Sequence, residues 1–374
     1  MSAGRRQFVK GLGLAAAGLV IAKPAVADPS PEVRWRITSS FQPNLDLIYG
    51  GAQTFAATLA DLTDGRFTVT VLPAGEVAPA LEALDAVANG VVECAHSALH
   101  YYWGKDPTFV FGSSTPFGMN ARQHAAWLSE GGGGELIDGF LADRKVFALP
   151  AGNTGGQMAG WFRKEVKTAN DLQGLKVRIG GFAGKVLQLL GAEPVAMAKD
   201  GVYSAFESGS LDAMEWVGPY DDDKFGERKE GDKLILAKVA PYYYYPGWWK
   251  GGMQLHLIVS REKFDALPKT YQAAFRAAAS VANASVQTKY DTANPAALKR
   301  LVVGGAELRL FPQDVLEACY KTANDLYGQL SADNPNFKKI ADSYLAFRGE
   351  QYLWWQVAEY SFDNFMIRQR RTKS

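Results

Sequence analysis

Few residues in this 374-residue chain have a type and placement that could do chemistry, and they suit binding better than turnover. Arg178 sits in the alternating run Lys176-Val177-Arg178-Ile179. A guanidinium offers a carboxylate two parallel N–H groups, where an ammonium offers a point charge. An arginine at a strand end equally suits a surface ion pair, and the residues alone leave both readings open. Glu215 and Trp216 end another predicted strand, a position where α/β proteins collect ligands. The alternative for Glu215 is a structural carboxylate held by neighbouring amides. Tyr101, Tyr102 and Trp216 could wall a small site against water or simply pack a core. Tyr242 to Tyr245, with Trp248 and Trp249, fit a packed crossing segment better than a sugar-stacking platform.

Other chemistries lack their residues. His96 and His100 have i, i+4 spacing but no accompanying carboxylate of the zinc-protease kind, so packed or solvated roles are expected for them. Cys94 and Cys319 stand far apart in apolar settings, which predicts two buried free thiols. The absence of any CxxC or cysteine cluster argues against iron–sulfur, haem c and structural zinc sites. No P-loop, nucleophile elbow or dinucleotide fingerprint is present.

The elements that must position these residues alternate between strand and helix. Val33 to Ile37 and Phe67 to Leu72 read as strands flanking a helix from Asp46 to Asp64, stopped by Gly65. A helix from Leu81 to Asn89 and a buried strand from Val91 to Ala95 follow. A second set comprises strands at Lys176–Ile179, Val195–Met197 and Ala213–Trp216, with helices at Gly184–Leu190 and Tyr203–Glu207. Two α/β lobes are predicted, with parallel strands covered by helices. Leu136 to Thr154 and Tyr244 to Val259 read as the crossings between them. Helices are expected at Tyr271–Tyr290, at Pro312–Leu330 and from Pro335. The residues after Gly349, including Tyr352, Trp354, Trp355, Tyr360, Phe362 and Phe365, are too aromatic for a solvated tail. The expected divisions are residues 28–150 and 151–243 for the first parts of the two lobes, 244–330 shared between them, and 331–374 as a C-terminal extension.

At the N-terminus, Gly4-Arg5-Arg6-Gln7-Phe8-Val9-Lys10 is a twin-arginine pattern. A short apolar run to Ala22 and the small-x-small site Ala25-Val26-Ala27 follow it. Residues 1–27 therefore read as a Tat signal peptide, cleaved after Ala27, which places the mature protein free in the periplasm. Its removal leaves 36 basic against 39 acidic residues, a balance that offers no basic field for nucleic acid.

Three phrases in order, Asp171-Leu172-Gln173-Gly174-Leu175-Lys176-Val177-Arg178, Leu190-Gly191-Ala192-Glu193-Pro194-Val195 and Tyr203-Ser204-Ala205-Phe206-Glu207-Ser208-Gly209-Ser210-Leu211-Asp212, carry a resemblance. The chain resembles the substrate-binding proteins of TRAP transporters. Tyr101 to Pro107, Gly152 to Gln157, Glu215 to Asp222 and Tyr245 to Trp249 make it most similar to the α-keto-acid and lactate receptors. The resemblance implies a two-lobed periplasmic binding protein fold, type II-like, whose cleft closes by a hinge. It implies membrane subunits as partners, no enzymatic activity, and a homodimer formed through the C-terminal helix. The competing readings are an ABC-type sugar or amino-acid receptor and a Tat-exported periplasmic enzyme.

The resemblance also assigns roles. Arg178 matches the arginine that holds the ligand carboxylate. Gln157, Glu215 and the backbone oxygen of Trp216 match the ligands of a metal ion, of the hard, oxygen-preferring kind such as sodium or calcium. Tyr101, Tyr102 and Trp216 are the candidate walls. The position before Gly251-Gly252, where relatives often carry an acid or amide, holds Lys250. Lys250 either points away from a metal or puts its ammonium in the metal's place beside the ligand. Pyruvate, other short 2-oxo acids and lactate fit these residues equally.

Overall fold

The computed structural model describes residues 31–195, 197, 199–225 and 235–371, so the predicted signal peptide lies outside the described residues. Two mixed sheets carry the fold. The strands are β1 (Val33–Ser39), β2 (Phe67–Leu72), β3 (Cys94–Ser97), β4 (Val146–Asn153), β5 (Gly160–Phe162), β6 (Lys176–Arg178), β7 (Glu193–Pro194), β8 (Ala213–Met214), β9 (Tyr242–Tyr245), β10 (Gln254–Ser260) and β11 (Glu307–Leu310). The first sheet has the order β2-β1-β3-β10-β4 and the second β11-β9-β5-β8-β6-β7.

Parallel pairing holds among β2, β1 and β3, and among β8, β6 and β7. The other described neighbours are antiparallel except for β11 on β9. The expected parallel strands are present, but each sheet also has antiparallel pairs, because strands that arrive directly from the other lobe enter without a crossover helix.

The chain passes from the first sheet to the second between Asn153 and Gly160, and returns between Tyr245 and Gln254. Much of the two stretches read as crossings therefore belongs to β4 and β10, which pair with each other over Val146–Asn153 and Gln254–Ser260. The third strand also begins later than expected, at Cys94. Val91 lies half exposed in the preceding turn, where its carbonyl accepts from Arg36 Nη2 at 2.6 Å. In the second lobe β7 forms at Glu193–Pro194 rather than Val195–Met197.

Trp35, Phe67 and Phe147 of the first sheet pack with Phe55 from the helix Asp46–Leu62 and Phe275 from the helix Lys269–Val303. Each such ring contributes about 1.5–3 kcal/mol by its burial. The second lobe has its own core around Trp161, Phe206, Leu211 and Tyr243. The helix Lys269–Val303 runs well past the predicted end at Tyr290 and contains Pro295. An interior proline forfeits a backbone hydrogen bond; Ala297 and Leu301 beyond it are buried, and Leu301 joins the second core. One helix thus packs against both lobes, with Val286 and Tyr290 between them.

The helix Pro335–Trp355 covers the other face of the first lobe, where Phe337 and Tyr344 meet Phe111, while the helix Gln313–Asp333 also reaches the second lobe, where Tyr327 meets Phe182. Asn334 caps the helix Pro335–Trp355 by accepting from the Phe337 N–H at 3.0 Å. No break occurs at Gly349. The helix continues to Trp355, through a π-helical turn at Gln356–Tyr360 and on to Ser361–Arg371. Along this arm Leu353, Trp354, Val357, Tyr360, Phe362, Phe365 and Ile367 are all more than half exposed. Cys94 and Cys319 are free and buried. No helix among the described residues is long and apolar enough to cross a membrane.

Candidate functional site

A cavity of about 620 Å³ lies between the lobes, lined from the first by Phe41, His100 and Tyr101, from the second by Arg178, Glu215 and Trp216, and from the returning crossing by Trp249 and Lys250. It opens where β6 and β8 end. Arg178 is the last residue of β6, and its carbonyl accepts from the Glu215 N–H at 3.0 Å, so Glu215 and Trp216 leave β8 beside it. Close packing of β5 against β8 fixes this arrangement. Gly160 has φ +102° and faces the Met214 carbonyl with no room for a Cβ.

Arg178 is held, not free. Its Nε donates to the Met197 carbonyl at 3.0 Å and its Nη1 to the Glu215 carbonyl at 2.8 Å. The guanidinium also lies over the Trp216 ring, 4.9 Å from its centroid. Two of five N–H groups are thereby used among the described residues, and the rest of the fork remains available in a cavity wall. The surface ion pair, open from the residues alone, is not what the side chain makes among the described residues.

Glu215 is buried, and its Oε1 receives Lys250 Nζ at 2.6 Å, the two side chains being 9% and 15% exposed. Lys250 sits in a tight turn between β9 and β10. Its N–H donates to the Gly247 carbonyl at 3.0 Å, and a Cβ on Gly251 would lie 2.5 Å from the Met119 carbonyl. Gln157, in the outgoing crossing, is buried and is not among the residues that line the cavity. Its Nε2 donates to Thr154 Oγ1 at 3.0 Å, while its Oε1 has no hydrogen-bond partner among the described residues. The indole N–H groups of Trp216 and Trp249 are likewise buried without a described partner. Trp216 and Trp249 line the cavity, and such unsatisfied polar atoms are costly unless something else completes them.

The two tyrosines separate. Tyr101 lines the cavity, and burial, with Glu215 nearby, pushes its hydroxyl pKa up, so the group stays protonated. Tyr102 belongs to the core. Its hydroxyl donates to Ser97 Oγ at 2.9 Å and accepts from the Leu84 N–H at 3.1 Å. His100 was missed as a cavity residue. Its i, i+4 relation to His96 carries no helical meaning, because His96 lies on β3 and His100 in the 3₁₀ turn Leu99–Tyr102. Ser113 Oγ donates to the Gln254 carbonyl at 2.8 Å, so the 3.0 Å contact with His100 Nδ1 makes that nitrogen the donor. Burial, and then Lys250, hold the His100 pKa well below the ordinary value.

The aromatic crossing forms no stacking platform. Tyr243 stacks on Trp161 with centroids 4.2 Å apart, Tyr244 packs on Phe162 and Phe311, and Trp248 stacks on Phe117 at 5.1 Å.

Residues 38–334 match the family model described as bacterial extracellular solute-binding protein, family 7. The chain is 42% identical over 335 residues to the monocarboxylate 2-oxoacid-binding periplasmic protein all3028 of Nostoc sp. (strain PCC 7120), covering 90% of this chain and 89% of that protein. A TRAP transporter solute-binding protein from Bordetella bronchiseptica RB50 is 40% identical with a TM-score of 0.86, covering 92% of this chain and 100% of that one. Its structure is a mixed-occupancy dimer with copurified calcium and picolinate in one site. A TRAP periplasmic solute-binding protein from Pseudoalteromonas atlantica T6c, with bound sodium and pyruvate, is 33% identical with a TM-score of 0.82, covering 89% and 99%. Its counterpart from Colwellia psychrerythraea, with bound calcium and pyruvate, is 31% identical with a TM-score of 0.84 over the same shares.

Proposed function

The chain belongs to the bacterial extracellular solute-binding proteins of family 7, periplasmic receptors rather than enzymes, and we propose that it captures a small monocarboxylate of the 2-oxo acid class for a TRAP transporter. The observation that carries this reading is the Arg178 fork. Two backbone carbonyls and the Trp216 ring fix it in the wall of an interlobe cavity with N–H groups to spare. A rigid fork is suited to a planar carboxylate. The surrounding rings of Phe41, Tyr101, Trp216 and Trp249 favour a short ligand and exclude water from it. Tyr101, protonated, can donate to a ligand oxygen. Tyr102 supports the wall from behind.

A metal ion suits the other side of the cavity. Gln157 Oε1, the Glu215 carboxylate and the Trp216 carbonyl would be its oxygen donors, and the unpartnered Gln157 oxygen supports that reading. Donors that are all oxygen, a carboxylate, an amide and a backbone carbonyl, suit a hard cation such as sodium or calcium better than a transition metal. When bound, the ion would neutralise Glu215 and offer a coordination point to ligand oxygens.

The lobes, residues 28–150 and 151–243 with 244–330 shared between them, would close about the two crossings. Residues 1–27 would direct export through the Tat pathway with cleavage after Ala27. The exposed rings of the C-terminal arm, within residues 331–374, support a homodimer, because a soluble monomer rarely exposes so large an apolar stripe. The test is native mass spectrometry and calorimetry of the purified receptor against short 2-oxo acids, lactate, dicarboxylates, sugars and amino acids. Pyruvate or a close 2-oxo acid is expected to bind best. Capture of a sugar or amino acid with no 2-oxo acid binding would refute the reading.

A further inference from the structure

The Lys250–Glu215 pair stands where two requirements meet. A buried carboxylate needs a positive partner, and Glu215 already has one in the Lys250 ammonium 2.6 Å away. This lysine is not a surface side chain that happens to reach in. Its turn is locked by the Gly247 carbonyl and by the close approach of Gly251 to Met119 and of Gly252 to Asn153 Oδ1. Its side chain is only 15% exposed.

Charge counting points the same way. The ionised groups lining the cavity are Arg178, Lys250 and Glu215, while His100 and Tyr101 are held neutral by burial. They sum to one positive charge, which a monocarboxylate cancels. A sodium or calcium ion added to the same set leaves one or two charges in excess. It would also have to share the Glu215 carboxylate with an ammonium at hydrogen-bond distance, so two cations would repel across a few ångströms.

We propose that Lys250 is a built-in cation that makes the metal optional. In the metal-free receptor its ammonium neutralises Glu215 and completes the anion site, and a metal can take Glu215 only when Lys250 leaves it. The inference rests on the reading of the cavity as a 2-oxo acid site. It assigns to this chain a device distinct from the calcium and sodium found with ligands in the similar solved structures.

The probes are pyruvate and calcium. Receptor treated with chelator and dialysed into sodium-free buffer is titrated with pyruvate by calorimetry, as wild type and as Lys250→Gln. Each is then titrated with pyruvate after calcium or sodium is restored, and with calcium alone. Wild type is expected to bind pyruvate within about threefold with or without metal, and Lys250→Gln to lose about 100-fold or more without metal and to recover with it. Calcium alone should bind the variant at least about tenfold tighter than wild type, because the competing ammonium is gone. Loss of pyruvate binding by chelated wild type overturns the proposal, as does a chelated variant that binds like wild type. Should Lys250→Gln fail to fold, the wild-type titrations decide, and Lys250→Arg, which keeps the charge, must retain metal-free binding. If no 2-oxo acid binds with or without metal, the receptor reading fails instead, and the calcium titrations alone judge the competition at Glu215.

Discussion

Replacing Arg178 with methionine removes the fork while keeping a side chain of similar length. In the ligand-free cavity Arg178 spends one N–H on Met197 and one on Glu215, so its remaining donors are positioned before any ligand arrives. A buried carboxylate deprived of such a partner costs roughly 2–5 kcal/mol, or about 30-fold to several-thousand-fold in affinity. The same substitution strips a donor from two carbonyls. Both face a cavity that water can enter, so the loss of folding stability should stay near the lower end of about 1–3 kcal/mol. Arg178→Lys separates charge from geometry: it restores the positive charge but not the planar pair, and its affinity should fall between the two. Calorimetric titration with pyruvate reads the binding, and far-UV circular dichroism with thermal melting reads the fold. A folded Arg178→Met variant that binds pyruvate within threefold of wild type would exclude Arg178 from the ligand's carboxylate.

Changing Arg5 and Arg6 together to lysine should hold precursor in the cytoplasm on fractionation; normal periplasmic yield would reject Tat export. Leu353→Glu with Val357→Glu places charge on the most exposed part of the C-terminal arm and should convert a dimer to monomer in light scattering, whereas a wild-type monomer at micromolar concentration would mean that the arm has no copy of itself to cover. Acid should destabilise the protein below about pH 6.5. Burial lowers His96 and His124 to about 4 and His256 to about 3 from 6.5, so between these values the unfolded chain binds protons that the folded one refuses. Asp222, raised by burial to about 7, acts oppositely, the native state retaining its proton up to that pH. Three histidines against one aspartate leave a net loss of roughly 3 kcal/mol from pH 7 to pH 5, and His100, also held well below its ordinary value, adds to that loss. An unchanged or higher melting temperature at pH 5 would refute this balance.

What the sequence discloses divides by distance along the chain. β1, β2 and the helix between them follow from alternation and from Gly65, because their signals are local and one face of each is buried. Arg178 and Glu215 stand out locally as charges ending strands, but only the resemblance chose a ligand role for them over a surface pair or a structural carboxylate. Local signals failed where tertiary packing sets the boundary. The long helix continues through Pro295 because its far end has the second lobe's core to enter. β3 starts late because Arg36 engages the turn before it: its Nη2 donates to the Val91 carbonyl at 2.6 Å and its backbone N–H to Glu93 Oε2 at 2.8 Å.

The pairing that distinguishes this cavity lies beyond local pattern altogether. Lys250 and Glu215 are 35 residues apart, on different elements, and neither carries a neighbour pattern that names the other. The resemblance located Lys250 only as a departure from its relatives, which left its ammonium either outside the site or inside it. The structure puts it inside: Gly251 and Gly252 bring the backbone against Met119 and Asn153, and the Lys250 ammonium, in the cavity lining, meets Glu215 at 2.6 Å. A lysine in solvent is the common outcome because desolvating an ammonium is costly. Here Glu215 offsets that cost, and Lys250 in turn offsets the cost of burying Glu215, so each makes the other's position tenable in a cavity whose remaining charge is the one a monocarboxylate would cancel.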